Sequence, residues 1–387
     1  MRKISISLRT TAILIGLVGI SACQAENPPT VQESTQKSSA KVSNDQAFKI
    51  HKIAQFNQPW AIQQLPDGRL ILTEKQGQLI IFNPKTQQKI QVSGVPKVAY
   101  GGQGGLGDIL LDPQFSKNQQ IYLSYAEAGQ GGYGAVIEKA SLNVQNANSS
   151  LEQGQIIWKQ VPKVEGQGHY AHRMRFGPDG KLWISSGERQ KFDPAQDMQS
   201  NLGKVLRLNA DGSAPADNPF QTQGKVAQQV WSLGHRNPLG MAFDAKQQLW
   251  VAEMGPKGGD ELNLIQRGKN YGYPIVSNGD HYSGKPIPDH HTRPEFEAPV
   301  ISWTPVISPS SLIFYQGQKF PAWKNKALIS GLSSQAIVIV DTEAKPAKEI
   351  QRIAMPQRIR GLIEAQDGSI WGIEDGPKAW LFQIQPK

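Results

Sequence analysis

Residues 233–274 concentrate side chains and carbonyl groups that could do chemistry. The segment opens with LGHRNPLG, continues through the strand-like run LWVAEMG, and ends in PKGGDELNLIQRGKNYGYP. Arg236 and Asn237, which precede that run, suit a planar anionic or carbonyl-rich ligand. Oxygen donors that suit a hard cation such as calcium follow it, at Gly255, Pro256, Asp260 and Glu261. A rigid strand that presents two such loops is a common way to build a binding or catalytic site.

We consider five of the seven histidines for chemistry, and one of them is a candidate base. His169, in the segment GQGHYAHRM, is the candidate general base, because imidazole titrates near neutral pH and can take a proton from a hydroxyl group. A structural role in a loop stays open for it. We interpret His172 and His235 as structural. We expect His290 and His291 in a solvated loop, because no third ligand stands at zinc spacing.

Further polar and aromatic residues stand beside predicted strands. They are Gln103 in YGGQGGLGD, Trp303 in ISWTPVISPSS, and Arg358 and Arg360 in QRIRGL. The two arginines, together with Arg236, indicate an anionic ligand that carries carboxylates. Trp303 offers a flat face for stacking. With a base and a cation, this set is typical of a site for a flat, multi-carboxylate, redox-active cofactor. The chain has no GxSxG, no P-loop, and no GxGxxG that opens a helix, so NAD and ATP sites are not expected.

An internal repeat predicts the elements that position these residues. Six copies combine a turn, an alternating apolar strand and a small or acidic residue at the strand end. The copies are PDGRLILTE, NQQIYLSYAE, PDGKLWISSGE, AKQQLWVAEMG, KNKALISGLSS and QDGSIWGIEDG. Their spacing matches one four-stranded blade each, which predicts an all-β, six-bladed β-propeller over residues 46–387. We expect the last strand to close the ring by pairing with the segment around 48–55. A pair of β-sandwiches is the alternative fold.

The N-terminus reads as a targeting segment. Residues 1–23 join a basic start to the short apolar run TAILIGLVGISA and end in a lipobox-like ISAC. Cys23, the only cysteine, is therefore expected to carry a lipid, and an ordinary cleaved signal is the alternative. Gln24 follows it, which favours the outer membrane, facing the periplasm. Residues 24–45 are polar and read as a flexible tether.

Composition excludes some partners. The 387 residues carry a formal net charge of +9, yet no run of Lys and Arg exceeds two residues and no basic helix is evident. We therefore expect no nucleic-acid partner and no membrane contact beyond the lipid on Cys23.

Together these segments resemble the PQQ-dependent soluble glucose dehydrogenase and sorbosone dehydrogenase family. Over residues 50–385 the chain looks most like the soluble aldose sugar dehydrogenases of that family. The resemblance is carried by GGQGGLGDILLDPQF, GHYAHRMRFGPDGKLWISSGER, GKVLRLNADGSAPADNPF, LGHRNPLGMAF, EMGPKGGDELNLI with NYGYP, HYSG, WTPVISPSS and QRIRGL. It implies a propeller enzyme that oxidises C1 of aldoses to lactones and passes electrons to a quinone or dye acceptor.

The resemblance also implies residue roles. His169 would take the proton of the C1 hydroxyl while hydride passes from C1 to C5 of PQQ, and Arg236 would stabilise the charge that develops on the reduced quinone. A calcium ion held in part by the carbonyls of Gly255 and Pro256 would polarise the quinone. A second, structural calcium would use Glu261 and the Tyr271 carbonyl. The cofactor would be held or covered by Gln103, Asn237, Tyr282, Trp303, Arg358 and Arg360.

Two positions depart from the family pattern. Glu188 stands where glucose dehydrogenases carry Asp, and Ser333 stands where they carry a lysine that contacts PQQ. The chain also lacks their long insertions, so we expect an open site, broad aldose specificity and a monomer. A calcium-dependent propeller lactonase and a non-enzymatic binding propeller are the alternatives. The arginines speak against the first, and His169 with the arginines speaks against the second.

Overall fold

The computed structural model describes residues 47–145 and 148–387. Its strands form six four-stranded antiparallel sheets. In chain order they are β1 (Phe48–Phe56), β2 (Pro59–Gln64), β3 (Leu70–Glu74), β4 (Gln78–Phe82), β5 (Lys89–Gln91), β6 (Leu106–Leu111), β7 (Gln120–Gly129), β8 (Gly132–Asn143), β9 (Ser150–Lys159), β10 (Ala171–Phe176), β11 (Leu182–Ser186), β12 (Lys204–Leu208), β13 (Val230–Leu233), β14 (Pro238–Phe243), β15 (Leu249–Glu253), β16 (Asp260–Leu264), β17 (Ile301–Trp303), β18 (Pro309–Phe314), β19 (Ala327–Gly331), β20 (Ala336–Asp341), β21 (Lys348–Ala354), β22 (Ile359–Glu364), β23 (Ile370–Glu374) and β24 (Ala379–Pro386).

The sheets are the blades of a six-bladed β-propeller, as the repeat predicts. Blades 1 to 5 each use four consecutive strands, from β2–β5 to β18–β21, and blade 6 uses β22–β24 with β1. The first strand of each blade contacts the first strands of both neighbouring blades, so the six first strands form a closed ring around the axis. The six sequence copies are the second strands β3, β7, β11, β15, β19 and β23.

The ring is closed by the two ends of the described chain. β1 pairs antiparallel with β24, from Phe48 opposite Pro386 to Phe56 opposite Ala379. This confirms the expected pairing. It joins the first described strand to the last one by backbone hydrogen bonds and completes blade 6, with β1 as its outermost strand.

The core is a ring of six apolar clusters, one between each pair of adjacent blades. Strand β3 shows how the sequence produces it. Leu70 and Leu72 pack toward blade 6, whereas Ile71, between them, packs toward blade 2. Successive side chains of a strand point to opposite faces, so a strand between two neighbours is apolar at every position.

Helices are few and short in the described chain. They comprise α1 (Phe115–Asn118) and four 3₁₀ turns, at Asp193–Ala195, Ala227–Gln229, His290–Thr292 and Pro321–Trp323. None of the helices described is long and apolar enough to cross a membrane. The predicted signal, residues 1–23 with Cys23, and the predicted tether, residues 24–45, lie outside the described residues.

Candidate active site

The predicted site residues converge because each blade contributes the same two chain positions. The start of a first strand pairs with the end of the second, as Pro238 of β14 does with Glu253 of β15. In all six blades the register between these strands shifts within the first residues of the first strand. Such bulges re-aim side chains and are common beside active sites. One end of the axial channel is therefore lined by residues that enter first strands or leave second strands.

A cavity of about 470 Å³ opens at this end of the channel. Its lining includes Gln103 of blade 2, His172 of blade 3, and Arg358 and Arg360 of blade 6. His172 is buried, with its Nδ1 2.8 Å from the Ser124 hydroxyl. Burial lowers the pKa of His172 to about 3, so it stays neutral and structural, as expected. The cavity therefore combines cations and hydrogen-bonding groups but takes no titrating base from His172.

His169 and Glu188 form a buried pair beside the cavity. Nδ1 of His169 lies 2.5 Å from Oε1 of Glu188, and the His169 backbone N–H donates to Oε1 of Gln103 at 2.8 Å. The other carboxylate oxygen of Glu188 accepts the backbone N–H groups of Lys191 and Phe192, at 2.5 and 2.8 Å. A carboxylate at Nδ1 fixes the proton there, which leaves Nε2 as the proton acceptor. Nε2 forms no hydrogen bond to any residue in 47–145 or 148–387.

The charges around this pair favour a neutral imidazole and an ionised carboxylate. Burial lowers the pKa of His169, and the nearby positive charge of Arg236 lowers it further, although the bond to Glu188 opposes both. Burial alone would raise the pKa of Glu188, but the bond from His169 and the N–H of Phe192 outweigh it, so that pKa is lowered. His169 is therefore unprotonated at neutral pH and can act as a base.

The backbone around the pair adopts conformations that L-residues rarely adopt. His169, Ala171 and His172 have φ between 46° and 56°, and Arg189 and Phe192 each have φ of 63°. Gly187 permits this packing, because a Cβ there would lie 2.0 Å from the His169 carbonyl oxygen. Backbone strain of this kind costs free energy and clusters at functional sites.

Arg236 and Asn237 enter blade 4 next to this pair, and both are buried. Nη1 of Arg236 donates to the carbonyls of Gly255, at 2.6 Å, and Met254, at 3.1 Å. Nε of Arg236 and Oδ1 of Asn237 are buried without a hydrogen-bond partner among the described residues. Buried polar atoms are normally paired, so an unpartnered donor and an unpartnered acceptor on consecutive residues indicate a place for a polar ligand.

Arg358 and Arg360 share one carboxylate, that of Asp375. Nε of Arg358 donates to Oδ2 of Asp375 at 2.8 Å, and Arg360 donates to Oδ1 through Nε and Nη2 at 3.0 and 2.8 Å. Burial tends to raise the pKa of Asp375, but the two guanidiniums lower it overall. Asp375 therefore stays ionised and orients both arginines at the cavity wall.

The predicted metal residues lie in one loop and one strand of blade 4. Asp260 bonds backbone N–H groups at Gly255, Ile307 and Ser308, which fixes the 255–260 loop. Glu261 is buried, and its carboxylate accepts Nδ2 of Asn263 at 3.0 Å.

The surroundings of Glu261 favour the binding of a proton or another positive charge to its carboxylate. Burial and the nearby Glu253 raise the pKa of Glu261 to about 8. Oδ1 of Asn263 has no partner within the described chain. No group of three or more His, Cys, Asp or Glu side chains suited to a metal occurs in that range.

The Tyr271 carbonyl, also predicted as a metal ligand, is bonded by His290. His290 Nε2 lies 3.1 Å from that oxygen, and its Nδ1 lies 3.3 Å from Oδ1 of Asn278. The expected solvated loop is therefore wrong for His290, which is buried, and holds for the exposed His291. His235 is structural, as expected, because its Nδ1 lies 2.9 Å from Glu253 and its Nε2 bonds Ser232.

Four aromatic residues, two of them exposed, lie near Arg236 or pack against its neighbours. Tyr282, predicted to hold the cofactor, is 73% exposed, and its ring centre is 5.8 Å from the Arg236 guanidinium. The Tyr273 ring is at the same distance. Phe192 is 43% exposed and packs against Tyr273 and His281. These four aromatic residues form a wall beside the His169–Glu188 pair.

Trp303 does not belong to this group, which corrects the expected stacking role. It is only 7% exposed and packs in the apolar cluster between blades 4 and 5. Its Nε1 donates to Glu349 of β21, an outermost strand, at 3.0 Å. The side chain is used to pack two blades together and has little surface left for a cofactor or a sugar.

Two charged residues of the cavity wall went unpredicted, Lys75 and Asp375. Each directly follows a second strand, β3 and β23, and so occupies the place that Gly187, the neighbour of Glu188, occupies in blade 3. The repeat itself carried that signal, because each copy ends within two residues of this place. Ser333, which stands where a cofactor lysine was expected, bonds Ser308 at 2.7 Å.

Comparison with known proteins is consistent with this geometry. The profile of the family described as Glucose / Sorbosone dehydrogenase matches residues 56–383. An aldose sugar dehydrogenase of Escherichia coli K12 is 34% identical over 341 residues, which are 86% of this chain and 91% of that protein.

Solved structures agree. The apo crystal structure of the soluble aldose sugar dehydrogenase of E. coli is similar with a TM-score of 0.82 and 33% identity, covering 88% of this chain and 100% of that one. The PQQ-bound aldose sugar dehydrogenase of Streptomyces coelicolor is similar with a TM-score of 0.74 and 26% identity, covering 88% and 98%. The chain with the His169–Glu188 pair and the arginine-lined cavity therefore belongs to the glucose/sorbosone dehydrogenase family of oxidoreductases.

Proposed function

We propose that the protein is a PQQ- and calcium-dependent aldose sugar dehydrogenase. It oxidises C1 of an aldose to the lactone and passes two electrons to a quinone or dye acceptor. The observation that carries this proposal is the neutral base His169, held by Glu188 next to the unpartnered polar atoms of Arg236 and Asn237.

The residues that line the cavity, together with Arg236 and Asn237 beside it, fit an anionic, carbonyl-rich cofactor. Nε of Arg236 can donate to a carbonyl or carboxylate oxygen, and Oδ1 of Asn237 can accept an N–H. Arg358 and Arg360, already oriented by Asp375, offer further donors to carboxylates. Gln103 lines the same cavity. A bound PQQ, as seen in the Streptomyces relative, supplies a quinone that accepts hydride.

The protein's own residues handle the proton and the charge. Nε2 of His169 accepts the proton of the C1 hydroxyl, which allows C1 to release hydride as the carbonyl forms. Glu188 keeps the imidazole in the required tautomer and stabilises the imidazolium that results. Arg236 places a fixed positive charge where negative charge develops.

Calcium has two candidate positions in blade 4. The first position is at the carbonyls of Gly255 and Pro256. Arg236 donates a hydrogen bond to the Gly255 carbonyl, and its positive charge would repel a cation there. An anionic ligand that pairs with Arg236 would reduce this repulsion, so the position suits a cation best when such a ligand is bound. Glu261 fits the second position, because a cation would relieve the repulsion from Glu253 and could use the unpartnered oxygen of Asn263. When bound, the first ion polarises the quinone.

The two exposed rings of the aromatic wall support a sugar as substrate. Rings such as Phe192 and Tyr282 can pack against the C–H faces of a pyranose, with His169 in reach of its C1 end. Phe192 is tied to the base, since Glu188 bonds both its backbone N–H and His169. We expect broad specificity, which comparable rates on mono- and disaccharides would support.

Location and assembly are part of the proposal. The lipobox-like segment ending at Cys23 supports an outer-membrane lipoprotein that faces the periplasm. We propose a monomer that meets the membrane only through its lipid, with no nucleic-acid partner.

Dye-coupled oxidation of an aldose panel tests the function. The protein without residues 1–23 is assayed with calcium, with and without PQQ, beside His169→Ala. We expect activity that needs PQQ and is lost in the variant. Calcium-dependent hydrolysis of lactones without PQQ would instead support the lactonase, and absence of both activities and of PQQ binding would contradict the proposal.

A further inference from the structure

Lys75 brings a third cation to the cofactor cavity from blade 1. It directly follows β3 and lines the cavity together with Arg358, Arg360 and Asp375. Its ammonium donates to the Gly102 carbonyl at 2.9 Å, beside the Gln103 that bonds His169. The side chain is half-buried, and its ammonium also lies 5.9 Å from the centre of the Tyr100 ring.

The charges at this wall do not balance. Arg358 and Arg360 both pair with Asp375, whereas Lys75 forms no ion pair within 4.0 Å in the described chain. Burial lowers the pKa of Lys75 and the positive charge of Arg360 lowers it further, whereas Tyr100 and Asp375 oppose both. Three cations therefore share one carboxylate, and a partly desolvated ammonium that forms no ion pair of its own costs free energy until an anion pairs with it.

The position of Lys75 complements that of Arg236. Blade 1 lies opposite blade 4 in a ring of six blades, so Lys75 and Arg236 approach the channel from opposite sides. The equivalent loops of blades 4 and 5 place Met254 and Leu332 at the cavity, neither of which carries a charge. A flat ligand with carboxylates on separate edges needs cations on more than one side.

We propose that Lys75 is an anion-binding residue of the cofactor site, whose ammonium pairs with a carboxylate of the cofactor. This inference rests on the proposed function. The contact from blade 1 adds to those of Arg358 and Arg360 in blade 6. Cofactor affinity would then depend on a lysine that approaches the channel from the side opposite Arg236.

Titration of PQQ into purified protein with calcium tests it, with ligand fluorescence or calorimetry as the readout. We expect Lys75→Met to raise the Kd for PQQ about 10- to 100-fold, because a charge-assisted contact is lost. Lys75→Arg retains the charge and is expected to stay within about fivefold of wild type. Lys85→Met, an exposed lysine on the distant β4–β5 turn, is the matched control and is expected to leave Kd unchanged. If Lys75→Met does not fold, Lys75→Gln replaces it.

A second ligand separates the charge from packing. The trimethyl ester of PQQ lacks the carboxylate charges, so wild type and Lys75→Met should bind it with similar Kd values. If wild type binds PQQ and the Kd of Lys75→Met for PQQ is within about threefold of the wild-type value, the role proposed for Lys75 is refuted while the proposed function stands. If wild type does not bind PQQ at all, both are wrong.

Discussion

Replacing Glu188 by Gln should disable the base while leaving the fold intact. Glu188 accepts three hydrogen bonds in a buried site, one from His169 and two from the backbone N–H groups of Lys191 and Phe192. Gln has one acceptor oxygen. With that oxygen on the two N–H groups, its NH₂ faces Nδ1 of His169, which must then accept and carry its proton on Nε2. The opposite orientation of the Gln amide leaves the backbone N–H groups of Lys191 and Phe192 unpaired, each at a cost of about 1–3 kcal/mol. The first orientation is therefore the more stable one.

The proton then sits on the atom that must accept the substrate proton. General-base catalysis contributes about 10²- to 10⁴-fold, so we expect kcat of Glu188→Gln to fall by that factor. Loss of the charge should also lower the free energy of unfolding by about 1–3 kcal/mol. Because Glu188 reaches the substrate only through His169, KM and the Kd for PQQ should change little.

Steady-state aldose oxidation with PQQ and calcium, together with urea unfolding, measures both effects. Glu374→Gln is the matched control, since Glu374 is also a buried acid at the end of a second strand but does not contact His169. It is expected to keep kcat within about threefold of wild type. A Glu188→Gln enzyme that retains more than a tenth of wild-type kcat would refute the tautomer argument.

Three further predictions test other parts of the structure. Arg173→Met should lower the free energy of unfolding, measured in urea, by about 3–5 kcal/mol, because the buried Arg173 guanidinium donates hydrogen bonds to Asp108 of blade 2 and to carbonyls of blades 4 and 5. A decrease of less than about 1 kcal/mol would contradict this. In pH profiles of kcat/KM, the acid limb should lie below the ordinary histidine pKa of about 6.5, because the lowered pKa of His169 keeps it neutral at lower pH, and a limb above 7 would be the opposite result. Trp303→Phe should leave the Kd for PQQ within about twofold, whereas a tenfold loss would return Trp303 to the cofactor site.

The fold could be predicted because every blade repeats a local signal. The Asp-Gly turns and apolar second strands predict the blade count, whereas the pairing of β1 with β24 was expected only because ring closure removes exposed strand edges. The convergence of His169, Arg236 and Arg360 followed from the same periodicity, since each stands just before or within the first residues of a first strand.

The errors have identifiable physical reasons. Trp303 shares a strand face with Ile301, and both pack between blades 4 and 5, so period-2 alternation could have placed it in the core. His290 is buried by contacts with Tyr271 and Asn278. Such non-local partners depend on loop geometry that no local sequence pattern encodes.

Anaerobic mixing of the PQQ- and calcium-loaded protein with an aldose tests whether the sugar reduces the bound quinone with His169 as the base. The absorbance of the bound quinone is followed in a single turnover, with protiated and C1-deuterated sugar, for wild type and His169→Gln. We predict that the quinone is reduced, more slowly with the deuterated sugar, and that the variant loses the reaction while still binding PQQ. Reduction that proceeds equally fast in the variant, or no reduction by any aldose, would contradict it.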